Sequence, residues 1–424
     1  MFSQFYGYTS ITYGQSSNPL YNYLQQSDHP LETYLELNYE FDTDAAVFKM
    51  HYIGGSMLFN QFVLRNYYEH RFVMESDFRI GADRPIATDL NPSSTEEQND
   101  DSTYTEVEKT KEDSTDIFLH VDLQTSARHD KNEYREFDNM GFTLNTSLRM
   151  QAGENSVLRL SNKSEYRQYP NLLPYSNFTD VLTLQLDNGF IDKINYGAFI
   201  SVGLKNFAKV TYDTSLFEQQ QTYTYQTILD STLVGNGNQR HWQYFTTLDS
   251  TESEKILLKK PATNSTFQLT LGTFAQIHWE SSSLRAEVNY RVNSQSTLLT
   301  LVQNISPTTL NEDLYNDVFH AHGPEVRFIA TQTLPKKILF TALTEAELKT
   351  FETPAYDFAT GAIVKDHRKD SSINIELTLS KFFEINDGFG FDIAVGAAFL
   401  RNQSNDNYND YSITAFSFSV GCGF

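Results

Sequence analysis

Charged side chains recur at every second position in several segments of the chain. Alternate residues of an extended strand project from one face, so this spacing places a row of charges on that face. The candidates on this pattern are Arg149, Arg159, Lys163, Glu165, Arg167, Arg285, Glu287, Arg291, Glu376 and Asp392, with Asp187 a further charge of the same kind. Such rows can select ions in a pore, or they can pair with one another across an interior. Both interpretations stay open at this point.

The opposite face of the same segments is apolar. Leu284, Val288 and Val292, for example, alternate with the charged residues of their segment. These segments run to roughly 9–13 residues, the length that a tilted strand needs to cross a bilayer. A soluble β protein also alternates, but its strands are usually about 5–6 residues long. The pattern therefore predicts membrane-spanning strands, with a large soluble β protein as the alternative. Phe274 is an exception, an aromatic residue on a polar face.

Connections between the segments alternate between short and long. The short ones are Asp42–Ala45, Ala152–Asn155, Ile191–Ile194, Ser281–Ser283, Leu334–Lys337 and Asn386–Gly388. The long ones are Gln15–Pro30, Gln168–Asn177, Thr211–Asn264, Leu298–Pro324, Thr353–Arg368 and Asn402–Asp410. Short turns at one end and longer loops at the other are typical of up-and-down barrels. Counting back from Phe424 predicts an all-β, transmembrane, antiparallel barrel of about 16 strands, with 14 as the alternative. It forms a single domain over 1–424.

Composition agrees with this architecture and limits the partners. Hydrophobic residues make up 39% of the chain and aromatic residues 14%. No run approaches the roughly 20 apolar residues of a transmembrane helix, as expected where only alternate residues face lipid. The formal net charge of −22 argues against nucleic acid, because phosphate binding needs clustered Lys and Arg. The single cysteine, Cys422, excludes an intramolecular disulfide. We expect no cofactor.

The last segment has a bulky apolar face that ends on the final residue. Its members are Phe416, Phe418, Val420, Cys422 and Phe424, opposed by small residues. This strand resembles the last strand of bacterial outer-membrane β-barrels. The resemblance implies an outer-membrane location, contact with its lipid, and an assembly signal in Phe416, Phe418, Val420 and Phe424 for the barrel assembly machinery. It also implies export, so we expect a signal peptide upstream of Met1. Leu158–Leu172 is similar to a strand and loop of uncharacterised Gram-negative barrels.

Two segments interrupt the regular pattern. Residues 83–116 are acidic and nearly devoid of large apolar side chains, as in Ser93–Asp101, which is typical of a disordered insertion. By strand counting this insertion lies among the short turns, unless the count slips near Asn60–Arg71. Residues 207–264 form the largest connection and carry many aromatic side chains. We expect a loop or plug there that constricts the interior, binds a partner or shields the rim.

Sites for metals or catalysis are not expected. His320 and His322 lie on one side of an extended segment, but nothing nearby completes a zinc site. The Asn- and Asp-rich stretch 402–410 lacks the glycine of a calcium-binding EF-hand loop. No short motif marks a nucleophile with its base. These segments are therefore interpreted as solvated loops, and the protein as a non-enzyme.

The leading hypothesis is a porin-like channel with a polar, charged lumen, because a charged face recurs from strand to strand. The alternative is a non-conducting barrel that anchors or supports an envelope or surface protein. A third hypothesis is a membrane-embedded hydrolase.

Overall fold

The computed structural model describes most of the chain. The described residues are 3–18, 26–43, 46–80, 117–153, 155–171, 173, 176–190, 193–207, 218–234, 241–257, 265–294, 319, 321–357, 362–386 and 388–424. The strands are β1 (Ser3–Ser16), β2 (Leu31–Asp42), β3 (Ala46–Leu58), β4 (Tyr67–Ile80), β5 (Ile117–Asp130), β6 (Asn139–Gln151), β7 (Ser156–Gln168), β8 (Asn177–Phe190), β9 (Ile194–Phe207), β10 (Glu218–Val234), β11 (His241–Leu257), β12 (Ser265–Trp279), β13 (Ser282–Asn293), β14 (Ala321–Leu334), β15 (Ile338–Asp357), β16 (Ala362–Asn386), β17 (Phe389–Ser404) and β18 (Tyr411–Gly423).

Sixteen of these strands form one closed antiparallel barrel. Its order is β1 to β9, then β12 to β18, and β18 returns to pair with β1. The prediction of an all-β, up-and-down barrel with 16 strands is thereby confirmed, and the alternative of 14 is not adopted. Among the described residues, no helix is long and apolar enough to cross a membrane.

The ring closes where the first strand meets the last. Gly7 N donates to Phe424 O at 2.7 Å, and Phe424 N donates back to Gly7 O at 2.9 Å. A Cβ atom on residue 7 would lie 2.6 Å from the ring of Phe424. Glycine at this position therefore lets the terminal aromatic ring lie over the neighbouring strand. Farther along the same β1–β18 pair, Thr12 Oγ1 donates to Ser419 Oγ at 3.0 Å.

The two faces of the sheet match the alternation in the sequence. Large apolar side chains are exposed on one face, including Leu284, Val288 and Val292 on β13 and Phe416 and Phe418 on β18. In a barrel that spans a bilayer these are the side chains that face lipid.

The two ends of the barrel differ in their connections. The strand ends at Ser3 and Gly423 lie at the same end as the short turns. Ile80 pairs with Ile117 at this end, so the strand count does not slip and the insertion 83–116 joins β4 to β5 among the short turns. The insertion itself lies outside the described residues. We call this the terminus end, and the opposite one the loop end.

One predicted long loop is wrong. Thr353–Arg368 was expected to be irregular, but β15 continues to Asp357 and β16 begins at Ala362. Their pairing passes through register shifts on either side of Pro354. The register shifts interrupt the period of two residues, so the sequence of this stretch shows no regular alternation of apolar and polar residues.

Residues Lys209–Ala262 form a compact unit distinct from the rest of the chain. The described part is an antiparallel hairpin of β10 and β11, each of 17 residues, with register shifts at Tyr225/Gln226 and Ile228/Asp230. The predicted 207–264 segment thus contains regular strands. Its role as a loop or plug stays a prediction.

A buried carboxylate joins two loops at the loop end. Asp28 is fully buried. It accepts hydrogen bonds from the backbone N–H groups of His29, Asn60, Gln61 and Phe62 at 2.6–3.1 Å. Burial acts to raise the pKa of Asp28, but the backbone donors together outweigh it and hold the pKa below its ordinary value. The β1–β2 loop is in this way tied to the β3–β4 loop.

We expect Asp28→Asn to lower the free energy of unfolding at pH 7 by about 1–3 kcal/mol, because buried N–H groups would face a weaker acceptor. A carboxylate with a lowered folded pKa stabilises the protein above its ordinary pKa of about 3.9. That stabilisation is lost as the pH falls through the lowered pKa, so the stabilities of the wild type and the variant should converge in acid, once the pH lies below the lowered pKa of Asp28. Urea unfolding of refolded protein in micelles measures this difference.

Asp410→Asn is the matched control at the same end. Asp410 makes a partly exposed ion pair with Arg401 at 2.5 Å, so its replacement should cost less than about 1 kcal/mol. Equal costs for the two variants at pH 7 would contradict the role of Asp28.

Candidate pore lining

A cavity of about 560 Å³ shows which face of the sheet is interior. Its lining includes Tyr67 and Arg128 from β4 and β5, and Glu345, Glu376 and Ala398 from β15 to β17. These strands lie far apart around the ring. Because their side chains meet in one cavity, the face that they share points inward.

All of the sequence-predicted lining residues lie on this inward face. Register places Arg149 opposite Arg159, Lys163 opposite Asn145, and Glu165 opposite Thr143. The same face carries, on other strands, Arg167, Arg285, Glu287, Arg291, Glu376 and Asp392. Position alone does not establish a part in solute selection, which stays a prediction.

Several of these residues pair with a neighbour two positions along the same strand. Glu165 contacts Lys163 at 3.1 Å and Arg167 at 2.8 Å. Arg285 Nη2 donates to Glu287 Oε2 at 3.0 Å. Residues at i and i+2 share a face, so this pairing is local and keeps the wall hydrated without closing it.

A more buried charge network crosses β13, β14 and β15. Arg291 Nη1 donates to Glu347 Oε1 at 2.7 Å, and its other terminal nitrogen contacts Glu325. Glu347 also binds Lys349 at 2.6 Å, and Arg327 binds Glu345 at 3.1 Å. Glu325 and Glu347 are only 5% and 8% exposed. Both carboxylates are nearly buried and contact cations, so loss of one partner would leave an uncompensated buried charge. The ion pairs therefore stabilise this side of the barrel wall.

Sequence reasoning identified only Arg291 from this network. The signal was present, because Glu325 and Arg327, and likewise Glu345, Glu347 and Lys349, are spaced two apart. What the spacing could not supply is the register that brings β13 and β15 charges together across β14.

Histidines and carboxylates line a different arc, on β2 to β5. His51 lies 3.9 Å from Glu36 and 3.8 Å from Glu75. His120 Nδ1 lies 2.7 Å from Asp77 Oδ1. This arc was also missed, because single histidines in alternating segments carry no distinctive spacing.

A third arc of the wall is lined by small side chains. On β16 to β18 the inward positions include Thr378, Ala394, Gly396, Ser417 and Ser419, which register aligns next to one another. None of these side chains is long enough to reach far into the interior. The wall is therefore bulky and charged on one side and thin on the other.

A second cavity, of about 530 Å³, lies at the terminus end. Its lining includes Arg149, Arg159 and Arg285, together with Asp187. The cavity also explains the exceptional Phe274. Its ring is only 6% exposed and lies on the inward face, with the guanidinium of Arg285 4.3 Å above it.

Metal and calcium sites are not found in the part of the chain that the structure describes. No group of three or more His, Cys, Asp and Glu side chains is placed there to hold a metal ion. His320 lies outside the described residues. In the 402–410 stretch, Asn402 Nδ2 donates to Asn409 O at 2.6 Å, and Ser404 Oγ accepts from Asp406 N at 3.0 Å. These bonds form a polar turn.

No family model matches the chain, and no curated protein matches it. Among solved structures, it is similar to OccK2 (OpdF) of Pseudomonas aeruginosa in complex with glucuronate, with a TM-score of 0.44 and 9% identity over 100% of this chain and 98% of that chain. The outer membrane protein OpdK of the same organism has a TM-score of 0.41 and 9% identity, covering 99% of each chain.

OmpT with loop L8 deleted, an outer membrane protein of Vibrio cholerae, has a TM-score of 0.37 and 9% identity over 100% of this chain and 99% of that chain. The sixteen-stranded barrel is established by the pairing of this chain's own strands.

We expect Glu347→Gln to lower the free energy of unfolding by about 3 kcal/mol, because Arg291 and Lys349 would lose the anion that both contact in a nearly dry part of the wall. The measurement is urea unfolding of the refolded barrel in micelles.

Glu376→Gln serves as the control on the next strand. Glu376 is exposed to the interior and accepts from a neutral partner, Asn374 Nδ2, at 2.8 Å. Its replacement should change the free energy of unfolding by less than about 1 kcal/mol. A Glu347→Gln effect no larger than this would mean that the network does not brace the wall.

Proposed function

We propose that this protein is an outer-membrane, porin-like channel with a polar, charged lumen. The observation that carries the proposal is a closed ring of sixteen strands with a polar inward face. Side chains fill the interior of a barrel of about 8 strands, whereas barrels of about 16–18 strands leave an aqueous channel. At this strand number, side chains alone do not seal the interior.

The arc of small residues on β16 to β18 supports the same proposal. Thr378 and Gly396 are directly opposed at mid-strand. A wall built of such residues leaves space next to it, while the charged arcs keep that space wet. Water and small polar solutes would pass along the small-residue arc and meet the charged residues on the other side.

We expect Thr378→Cys to react with a small, membrane-impermeant thiosulfonate and to reduce the conductance of single barrels in steps. Its side chain faces the lumen and is exposed. The variant is made in a Cys422→Ser background, which removes the single native thiol. The readout is current through refolded protein in planar bilayers, before and after reagent.

Leu377→Cys is the matched control one residue away. Leu377 is 42% exposed on the opposite, lipid-facing side, so a charged reagent in water should not change the current. A barrel without conductance, in which Thr378→Cys is also unreactive, would overturn the channel and favour the non-conducting alternative.

The alternative is a barrel that anchors or supports an envelope or surface protein. The 17-residue strands of the β10–β11 hairpin favour it, because they form a compact unit of their own. Removal of Lys209–Ala262 tests whether such a partner is bound. A channel would still conduct without this unit.

Outer-membrane location and recognition by the assembly machinery belong to the same proposal. The lipid-facing side of β18 exposes Phe416, Phe418, Val420 and Phe424. The barrel assembly machinery could contact them there when it binds the last strand.

We expect the full chain, given an export signal, to fractionate with the outer membrane and to migrate as a compact form that heating unfolds. Phe424→Ala should decrease the amount of this compact form several-fold. Phe389→Ala is the control, because Phe389 is a lipid-facing aromatic at the same end of the neighbouring strand. Equal losses would show that an aromatic at this depth, rather than the last strand, is what matters.

A further inference from the structure

We propose that the cavity at the terminus end binds a small oxyanion, a free solute that carries a carboxylate or phosphate group. The inference deepens the proposed function, since it assumes that solutes reach the lumen. The observation behind it is that Arg149, Arg159 and Arg285, from three strands, line one cavity in which Asp187 is the single carboxylate among the lining residues that the structure describes.

The register makes this clustering electrostatically costly when the cavity is empty. Arg149 on β6 lies directly opposite Arg159 on β7. Like charges directly opposite one another destabilise a sheet. Arg149 has no ion pair with any residue that the structure describes. An anion placed between the two guanidinium groups would remove their repulsion, so the cavity favours an anionic occupant.

The arginines are held in place by neighbours that leave donors available. Arg285 lies on the ring of Phe274 at 4.3 Å and donates from one nitrogen to Glu287. A Cβ atom on Gly197 would lie 2.6 Å from that ring and 2.5 Å from a backbone carbonyl oxygen. Glycine therefore makes room for Phe274, and Phe274 supports Arg285. A guanidinium that is already oriented loses less entropy on binding.

The native carboxylate in the cavity is a weak competitor. Asp187 Oδ2 is 3.8 Å from Arg159 Nη2, and both side chains remain accessible to water. The other oxygen of Asp187 accepts from Gln185 Nε2 at 2.6 Å. A loose, hydrated pair of this kind contributes little and can open. The guanidinium group of Arg159 can therefore turn toward a solute.

Size and polarity indicate the class of solute. A volume of about 530 Å³ is in the range of pockets for small organic molecules, roughly 300–1,000 Å³. The arginine fork matches both carboxylate and phosphate, in two parallel hydrogen bonds. Side-chain amides complete the lining, at Gln151, Gln185, Asn195 and Gln276. Amides donate and accept, so they suit hydroxyl groups on the remainder of the solute.

The test is calorimetric titration of refolded barrels in micelles with sodium gluconate and, separately, inorganic phosphate, at constant ionic strength. We expect the double variant Arg149→Gln, Arg159→Gln to weaken binding by about tenfold or more, because charged hydrogen bonds to the anion are lost. Arg149→Lys with Arg159→Lys keeps the charge but not the fork, and should fall between. Asp187→Asn should strengthen binding several-fold, since it removes the competing carboxylate.

The double variant Lys336→Asn, Lys337→Asn is the charge-matched control, because it also removes two positive charges. Both lysines lie in the β14–β15 turn at the same end, outside the cavity lining, with φ of 67° and 57°, which Asn tolerates. This variant should leave affinity unchanged. Equal weakening by the lysine double variant and by the arginine double variant would show a diffuse charge effect and overturn the site. So would unchanged affinity in heat-modifiable, folded arginine variants.

The two proposals fail in different ways. If binding depends on Arg149 and Arg159 but the barrel does not conduct, the result supports the anion site and contradicts the channel. The opposite result is a barrel that conducts but binds neither probe, with the same reversal potential in a salt gradient with and without the arginines. That result supports the channel and contradicts the anion site.

Discussion

Each strand of this barrel has to satisfy its backbone N–H and C=O groups against a neighbouring strand, because the core of a bilayer offers no water to replace them. The requirement has no exception at the ends of the chain, so β1 must pair with β18. The reciprocal hydrogen bonds between Gly7 and Phe424 meet it at the terminus end. Closure then forces every strand to divide its side chains between lipid and lumen, and the face alternation of the whole sequence follows from that division.

Within the lumen, charge is distributed unevenly around the ring. The network of Arg291, Lys349, Glu325 and Glu347 is nearly dry and its charges balance, which suits a structural role. The cavity at the terminus end is wetter and has an excess of guanidinium groups. The thin wall of β16 to β18 lies on the other side of the network from that cavity. The network and the cavity share β13, but Arg291 lies toward the loop end of this strand and Arg285 toward its terminus end. Stability and solute binding are therefore assigned to different heights of one wall.

The fold was largely predictable from the sequence, and the site only in part. Alternation and turn spacing predicted the strands and their number, because these are local properties that each segment expresses by itself. The extension of β15 and β16 through Thr353–Arg368 was not predicted, since register shifts around Pro354 interrupt the alternation there. The strands β10 and β11 inside the predicted 207–264 loop were missed as well. His51, His120 and Glu325 were not recognised as lining residues, although each lies on the inward face of its strand.

By itself, the sequence determined which side chains share a face, where the chain turns, and that the last strand ends on an apolar aromatic face. Those properties depend on a period of two residues and on local turn chemistry. Only the tertiary structure decided which faces meet. The register between strands sets Arg149 against Arg159, brings Arg291 to Glu347 across an intervening strand, and places Phe274 over Gly197. Register follows from pairing between strands, some of them distant in the chain, and no single segment contains that information.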